Sequence, residues 1–230
     1  QIVYYFYSYF KLSTKDKINF SVPTGNFGDV YAGYLAQKMG LPINKLIVST
    51  NENDILQRVI NTGEYKPTEV KSSISPSMDI QVASNFERLI FDALNADDKE
   101  VISLMSELKK NGSFKLKKEA LDYIQKIFSA IKVDDAETSK TIEKIFKKYN
   151  FIIDPHTAVA IKAYEKNDDK IKTVCLATAH PYKFVETVEK IIDIKMEIPI
   201  QGSFLGPEEK YEILENNIDI IKKYIENKIQ

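Results

Sequence analysis

Tryptophan is missing from the sequence, and arginine occurs only at Arg58 and Arg88. Nearly all the positive charge is therefore lysine, and a phosphate clamp built from several arginines is not expected within this chain. Neither sign of charge dominates: 32 Lys and Arg face 33 Asp and Glu, for a net charge of −1. That balance gives no bulk attraction to nucleic acid or to an anionic membrane, so neither is expected as a partner. No apolar run approaches the roughly 18–20 residues that a membrane helix needs. The single cysteine, Cys175, cannot form an intrachain disulfide. It fits a reducing compartment, the cytoplasm. In the run Val174-Cys175-Leu176 it reads as a small core residue rather than a nucleophile. Two histidines, His156 and His180, are too few with one cysteine to build a local zinc site, and no metal is expected.

What is present is a foldable chain. Hydrophobic residues make up 43% of 230, enough for a real core. The first residues, Gln1 to Phe10, carry no Lys/Arg-rich leader and do not resemble a signal peptide. They read as a helix or strand already under way, and the chain is expected to be part of something longer. Lys17–Val22 then predicts a strand, Val30–Met39 a helix stopped by Gly40, Lys45–Ser49 a buried strand and Asp54–Ile60 a helix. This alternation predicts an α/β fold, a parallel-type sheet with covering helices. A loop over Lys66–Met78 precedes a helix at Val82–Leu94.

From Ala96 to Asn150 lysine and glutamate dominate. Helical spacing recurs at Glu100–Lys110, Lys118–Ile131 and Glu137–Tyr149, which predicts a helical insert with solvated charged faces. Asp154-Pro155 opens a helix to about Tyr164, Lys172–Leu176 is a strand, and Pro181–Ile191 and Glu208–Lys228 are helices. The expected organisation is thus residues 1–95 in the α/β domain, 96–150 as the insert, and 151–230 as a return to that domain with a closing helix.

The chemistry-bearing motif is the turn Gly25-Asn26-Phe27-Gly28-Asp29 between the first strand and the first helix after it. Two glycines three apart let successive N–H groups point into one concavity at a helix N-terminus, where a phosphate is favoured. No Gly-Lys-Ser/Thr follows, so it is not a Walker loop, and it lacks the dinucleotide Gly-x-Gly-x-x-Gly pattern. Such glycines also occur in ordinary tight turns. Asp29 would repel a phosphate it faced, so it is expected to cap the helix and point away.

Taken together, Val22-Pro23-Thr24-Gly25-Asn26-Phe27-Gly28-Asp29, Ala32-Gly33-Tyr34, Lys38-Met39-Gly40-Leu41-Pro42, Thr50-Asn51-Glu52-Asn53-Asp54 and Ser75-Pro76-Ser77-Met78-Asp79-Ile80 resemble threonine synthases. These are pyridoxal-phosphate enzymes of fold type II, the tryptophan-synthase-β superfamily. The resemblance continues through Ser84-Asn85-Phe86-Glu87-Arg88, Asp154-Pro155-His156-Thr157-Ala158 and Thr178-Ala179-His180-Pro181-Tyr182-Lys183-Phe184. Gln1-Ile2-Val3-Tyr4-Tyr5 is similar to a segment well inside the full-length enzymes.

The resemblance implies that Gly25, Asn26, Phe27 and Gly28 hold the cofactor phosphate and that the Thr178 hydroxyl meets the pyridine nitrogen. A threonine cannot protonate that nitrogen, so the ring is a weaker electron sink than with an aspartate partner. Thr178 could also be only a helix cap. The lysine that carries the cofactor lies in a Phe-Lys-Asp-like motif of the family's N-terminal half. No such motif occurs here, so no catalytic residue is assigned to this chain. Lys183 is the tempting substitute, but the family does not use that lysine so. Asp154-Pro155 is a ready helix start; the alternative the resemblance leaves open is that His156 or Thr157 approaches the site.

The implied parent reaction converts O-phospho-L-homoserine and water to L-threonine and phosphate, with the N-terminal half of the same polypeptide as partner. A serine/threonine dehydratase or a cysteine synthase of the same superfamily is the alternative, as is a non-catalytic homologue. The helical insert and the Asp154-Pro155-His156-Thr157 motif argue against the first two.

Overall fold

Ile2–Lys11 forms helix α1, and Ile18–Pro23 forms strand β1 with every residue buried. A strand buried on both faces belongs in the middle of a covered parallel sheet. A computed structural model describes residues 1–196 and 211–229, and β1 is central in it. Helix α2 (Gly28–Lys38) carries the chain to β2 (Ile43–Thr50), which pairs parallel with β1. Gly40 follows α2 at φ 101°, the left-handed stop expected of it.

Helix α3 (Ile55–Thr62), the two-residue strand β3 (Glu64–Tyr65), and helices α4 (Phe86–Ala93) and α5 (Asp98–Asn111) come next. Strand β4 (Phe114–Lys115) pairs antiparallel with β3. Helix α6 (Lys118–Ile127) leads into β5 (Phe128–Lys132), which is followed by α7 (Asp135–Tyr149) and α8 (Pro155–Lys166). Strand β6 (Thr173–Cys175) and α9 (Val185–Ile192) complete this part. The main sheet has the order β5-β2-β1-β6, all parallel.

The sheet is covered on both faces. Leu46 and Val48 join a core with Tyr5, Tyr34, Phe86 and Phe128, contributed by α1, α2, α4 and β5. Ile47, one residue away on the pleat, joins Val133, Val159 and Ala163 on the other side. Helix α1 lies unusually close to α2. A Cβ on Gly33 would stand 2.5 Å from the Tyr5 ring.

Three sequence expectations change. The helical spacing read through Lys118–Ile131 ends at Ile127, and Phe128–Lys132 is a strand. Pairing with β2 from Leu46 to Thr50 satisfies the open edge of β2 and buries Phe128, which overrides the local helical pattern. The stretch 96–150 thus contributes a strand to the main sheet. The helix expected from Val82 starts only at Phe86, because the backbone at Ser84 and Asn85 is engaged elsewhere.

The third change is the closing helix. Its expected residues 208–210 lie outside the described residues. Residues 211–217 are not helical, and helix α10 spans Ile218–Ile229. Asn217 accepts the N–H of Asp219 at 2.9 Å, so an asparagine caps the helix where continued helix was expected. The chain separates into two compact units, Gln1–Lys195 and Met196–Gln230. Among the described residues no helix is long and apolar enough to cross a membrane.

Candidate cofactor site

Parallel strands β1 and β6 are neighbours, with Ser21 opposite Cys175, so the loops that follow them leave the same end of the sheet. The loop after β1 enters α2, which packs with the α1 side of the sheet. The loop after β6 runs to α9, which packs against α7 on the opposite side. Adjacent loops that diverge to opposite faces open a crevice at the carboxyl ends of the strands, where open α/β sheets bind ligands.

The first loop is pinned from three directions. The N–H of Thr24 donates to the carbonyl of Ser49 at 2.8 Å. The side-chain oxygen of Asn26 accepts from the Ser84 N–H at 2.6 Å and from the Ser84 hydroxyl at 2.9 Å. The Asn85 amide nitrogen donates to the Asn26 carbonyl at 3.0 Å. Gly25 lies against the 3-10 turn Pro76–Met78, with no room for a side chain.

Neither glycine of the motif adopts a left-handed conformation. Phe27 does, at φ 66°, immediately before α2. A bulky residue there is uncommon and must be held by its surroundings. Its ring is fully buried, 5.1 Å from that of Phe86 and 5.5 Å from that of Phe128.

The result is a row of free donors. Among the described residues, no protein acceptor is bonded to the N–H of Gly25, Asn26, Phe27 or Gly28. Successive free N–H groups running into a helix N-terminus suit a phosphate, and the left-handed residue helps turn them to one side. This geometry fits the phosphate group of pyridoxal phosphate.

Thr178 is exposed at the end of the β6 loop, and its hydroxyl has no partner among the described residues. It lines a cavity of about 250 Å³ with Gln1, Tyr4, Asp29, Leu176 and Ala177. Asp29 does not cap α2, contrary to the sequence expectation. The Tyr5 hydroxyl donates to the Asp29 carbonyl at 2.8 Å and lies 3.4 Å from its carboxylate. Tyr5 thus draws Asp29 to the cavity wall. Burial pushes the Asp29 carboxyl up from its ordinary value, against the opposing hydrogen bond from Tyr5.

A family model described as "Threonine synthase, C-terminal" matches residues 157–225. The threonine synthase of Pseudomonas aeruginosa is 43% identical over 193 residues, which cover 83% of this chain and 41% of the relative. The X-ray structure of PLP-bound threonine synthase from Brucella melitensis matches with a TM-score of 0.92 at 41% identity. That match covers 98% of this chain and 49% of the other. Threonine synthase from yeast matches with a TM-score of 0.90 at 38% identity, covering 99% and 51%. The chain is a threonine synthase relative. It spans about half the length of the curated relatives it matches, their C-terminal region, and has the fold of the type II pyridoxal-phosphate superfamily.

Within this threonine synthase relative, the remaining sequence candidates are placed as follows. Asp154 caps α8, accepting the N–H groups of His156 and Thr157, with Pro155 in the first turn. His156 is buried and bonded at both nitrogens. Nδ1 lies 2.9 Å from the Asp154 carboxylate, and Nε2 accepts the N–H of Ser77 at 3.2 Å. An imidazole that accepts at Nε2 donates from Nδ1, so these two contacts fix the orientation of the ring. It holds the turn that backs Gly25.

Lys183 is exposed on the turn Pro181–Phe184, its ammonium 5.9 Å from the Phe184 ring centre. Cys175 lies within hydrogen-bond reach of the Ala160 carbonyl, and burial, aided by Glu165, pushes its thiol up to about 12. A thiol so perturbed is not a nucleophile at neutral pH. Sequence reasoning assigned no role to Ser84, Asn85 or Tyr5. Their partners lie 24–59 positions away, and only the segments Ser84-Asn85-Phe86-Glu87-Arg88 and Gln1-Ile2-Val3-Tyr4-Tyr5 marked them.

Proposed function

We propose that this chain supplies the C-terminal part of a pyridoxal-phosphate lyase that converts O-phospho-L-homoserine and water to L-threonine and phosphate. The observation that carries the reading is the four N–H groups of Gly25–Gly28, unpaired among the described residues and at the same end of the sheet as Thr178, in a chain about 40% identical to threonine synthases. In this reading Gly25, Asn26, Phe27 and Gly28 hold the cofactor phosphate by backbone donation. Thr178 donates its hydroxyl to the ring nitrogen. The bound cofactor supplies an electron sink that lets protons leave the carbons near the substrate amine. This chain's residues bind and orient, and the lysine that carries the cofactor comes from an N-terminal half of the same polypeptide. The setting is the cytoplasm.

The test is to assay the longer polypeptide in which we place this sequence, with O-phospho-L-homoserine and separately with L-serine. Release of inorganic phosphate with formation of threonine is the expected result. Deamination of serine without phosphohomoserine turnover would assign the chain to a dehydratase. Cofactor binding without turnover of either substrate would make it a non-catalytic homologue. The 230-residue chain alone, mixed with pyridoxal phosphate and reduced with borohydride, is expected to give no stoichiometric adduct at Lys183.

A further inference from the structure

Helix α1 has the sequence Ile-Val-Tyr-Tyr-Phe-Tyr-Ser-Tyr-Phe-Lys, apolar or aromatic at eight of ten positions. A helix apolar all round belongs in an interior. Only one side of it is buried here. Tyr5 and Tyr9 enter the core, and Ile2 and Phe6 pack against its edge. On the other side Val3, Tyr4, Tyr7 and Phe10 are 65%, 60%, 63% and 68% exposed. Positions 3, 7 and 10 follow the i, i+4, i+7 spacing of a single stripe. Four large apolar side chains together on one exposed helix face mark an interaction surface.

We infer that this stripe is the docking surface for the polypeptide equivalent to the half of the threonine synthases that this chain does not match. Two observations select that occupant. The matched relatives continue for about as many residues again as they share with this chain. The stripe is also continuous with the candidate site, because Tyr4 and Gln1 line the same cavity as Thr178 and Asp29. A polypeptide that covers Val3, Tyr7 and Phe10 also reaches the rim of that cavity. One contact then buries the apolar stripe and walls the cofactor crevice. The inference rests on the functional reading above, in that it takes the second half from threonine synthase.

The experiment is tyrosine nitration by tetranitromethane, read residue by residue by mass spectrometry. It compares the 230-residue chain with the longer polypeptide. Tyr149 and Tyr211, 59% and 72% exposed and distant in sequence, serve as internal references. Tyr7 is expected to react at a rate similar to Tyr149 in the 230-residue chain, and at least tenfold more slowly in the longer polypeptide. The variant V3D/Y7D/F10D of the 230-residue chain is expected to lower its thermal midpoint by only a few degrees, because what it gives up, the Lys11 ammonium over the Tyr7 ring and the Phe10 ring contacts with Phe6 and Tyr9, lies at the surface of α1.

Equal reaction of Tyr7 and Tyr149 in the longer polypeptide would overturn the proposal. So would protection of Tyr7 in the 230-residue chain alone, accompanied by a dimer in sedimentation velocity that V3D/Y7D/F10D abolishes. That outcome would assign the stripe to a second copy. Protection of Tyr7 without phosphohomoserine turnover leaves the docking surface standing and removes the functional reading. Turnover without protection does the reverse.

Discussion

The carbonyl oxygen of Ser77 lies 2.9 Å from the point where a Cβ on Gly25 would stand. The Cα of Met78 is 3.1 Å from the same point, so backbone blocks the space even if the Ile80 side chain, also at 3.1 Å, gives way. Gly25→Ala should therefore cost about 1–3 kcal/mol, as overpacking does. At Gly28 the nearest atom to such a Cβ is the Asn85 amide nitrogen at 3.4 Å, an ordinary contact. Gly28 lies in the first turn of α2 with a negative φ, so Gly28→Ala should be neutral or stabilise by up to about 1 kcal/mol. Urea denaturation of the two variants checks the ordering. Equal losses at both sites would contradict it.

Asp154 makes the clearest acid-sensitive contact. Burial alone would raise its carboxyl, but hydrogen bonds from the His156 and Thr157 side chains outweigh that and hold it below the ordinary carboxylate value. A carboxyl lowered in the folded state contributes stability that is complete above its unfolded value, about 3.9, and is lost as pH falls through the folded value. Asp154→Ala should cost about 2 kcal/mol at pH 7, from the lost cap and the stranded partners. The gap between wild type and variant should narrow below about pH 4. Denaturation curves from pH 3 to 7 measure it, and a gap independent of pH would refute the assignment.

With its thiol pushed up to about 12, Cys175 holds almost no thiolate at pH 8. Alkylation by iodoacetamide at that pH should run far more slowly in the folded chain than in urea, by roughly two to three orders of magnitude. A fast stoichiometric reaction of the native chain would reverse the reading of Cys175 as a packing residue.

Thr178 separates binding from stability. Its side chain is exposed and without a partner among the described residues, so Thr178→Val should change stability by less than about 0.5 kcal/mol. If Thr178 bonds the cofactor ring as proposed, losing that neutral hydrogen bond, on the order of 0.5–1.5 kcal/mol, should slow turnover of the longer polypeptide by roughly threefold to tenfold. Unchanged turnover and an unchanged cofactor spectrum would leave Thr178 with no part in the site.

The strand-turn-helix around Gly25–Gly28 was legible because hydrophobic period, glycines and helix start are all local signals. The Asp154 cap was legible for the same reason. The strand Phe128–Lys132 was not, since Ala120, Ile124 and Ile127 carry a helical spacing that runs on into Phe128 without a break. Only the free edge of β2, some 80 residues earlier, decides the matter. The clasp of Ser84 and Asn85 on Asn26 and the bond from Ser77 to His156 span 58 to 79 positions. No local pattern encodes such pairings. Nor did any local pattern encode why Gly25 needs hydrogen in place of a side chain: the need comes from Ser77, not from its own torsion angles.

The left-handed Phe27 makes the proposed phosphate loop an outgrowth of the aromatic core. Its ring is wedged against Phe86 and Phe128, and that wedge keeps the backbone in a conformation phenylalanine seldom adopts. Phe128 leads the strand at one edge of the sheet, and Phe86 opens a helix from a different part of the chain. Neither needs to touch a ligand to govern one. Trimming either ring to leucine should loosen the grip on phosphate at temperatures where the rest of the molecule is still folded. On the proposed reading, affinity at the rim is stored in side chains that solvent scarcely reaches.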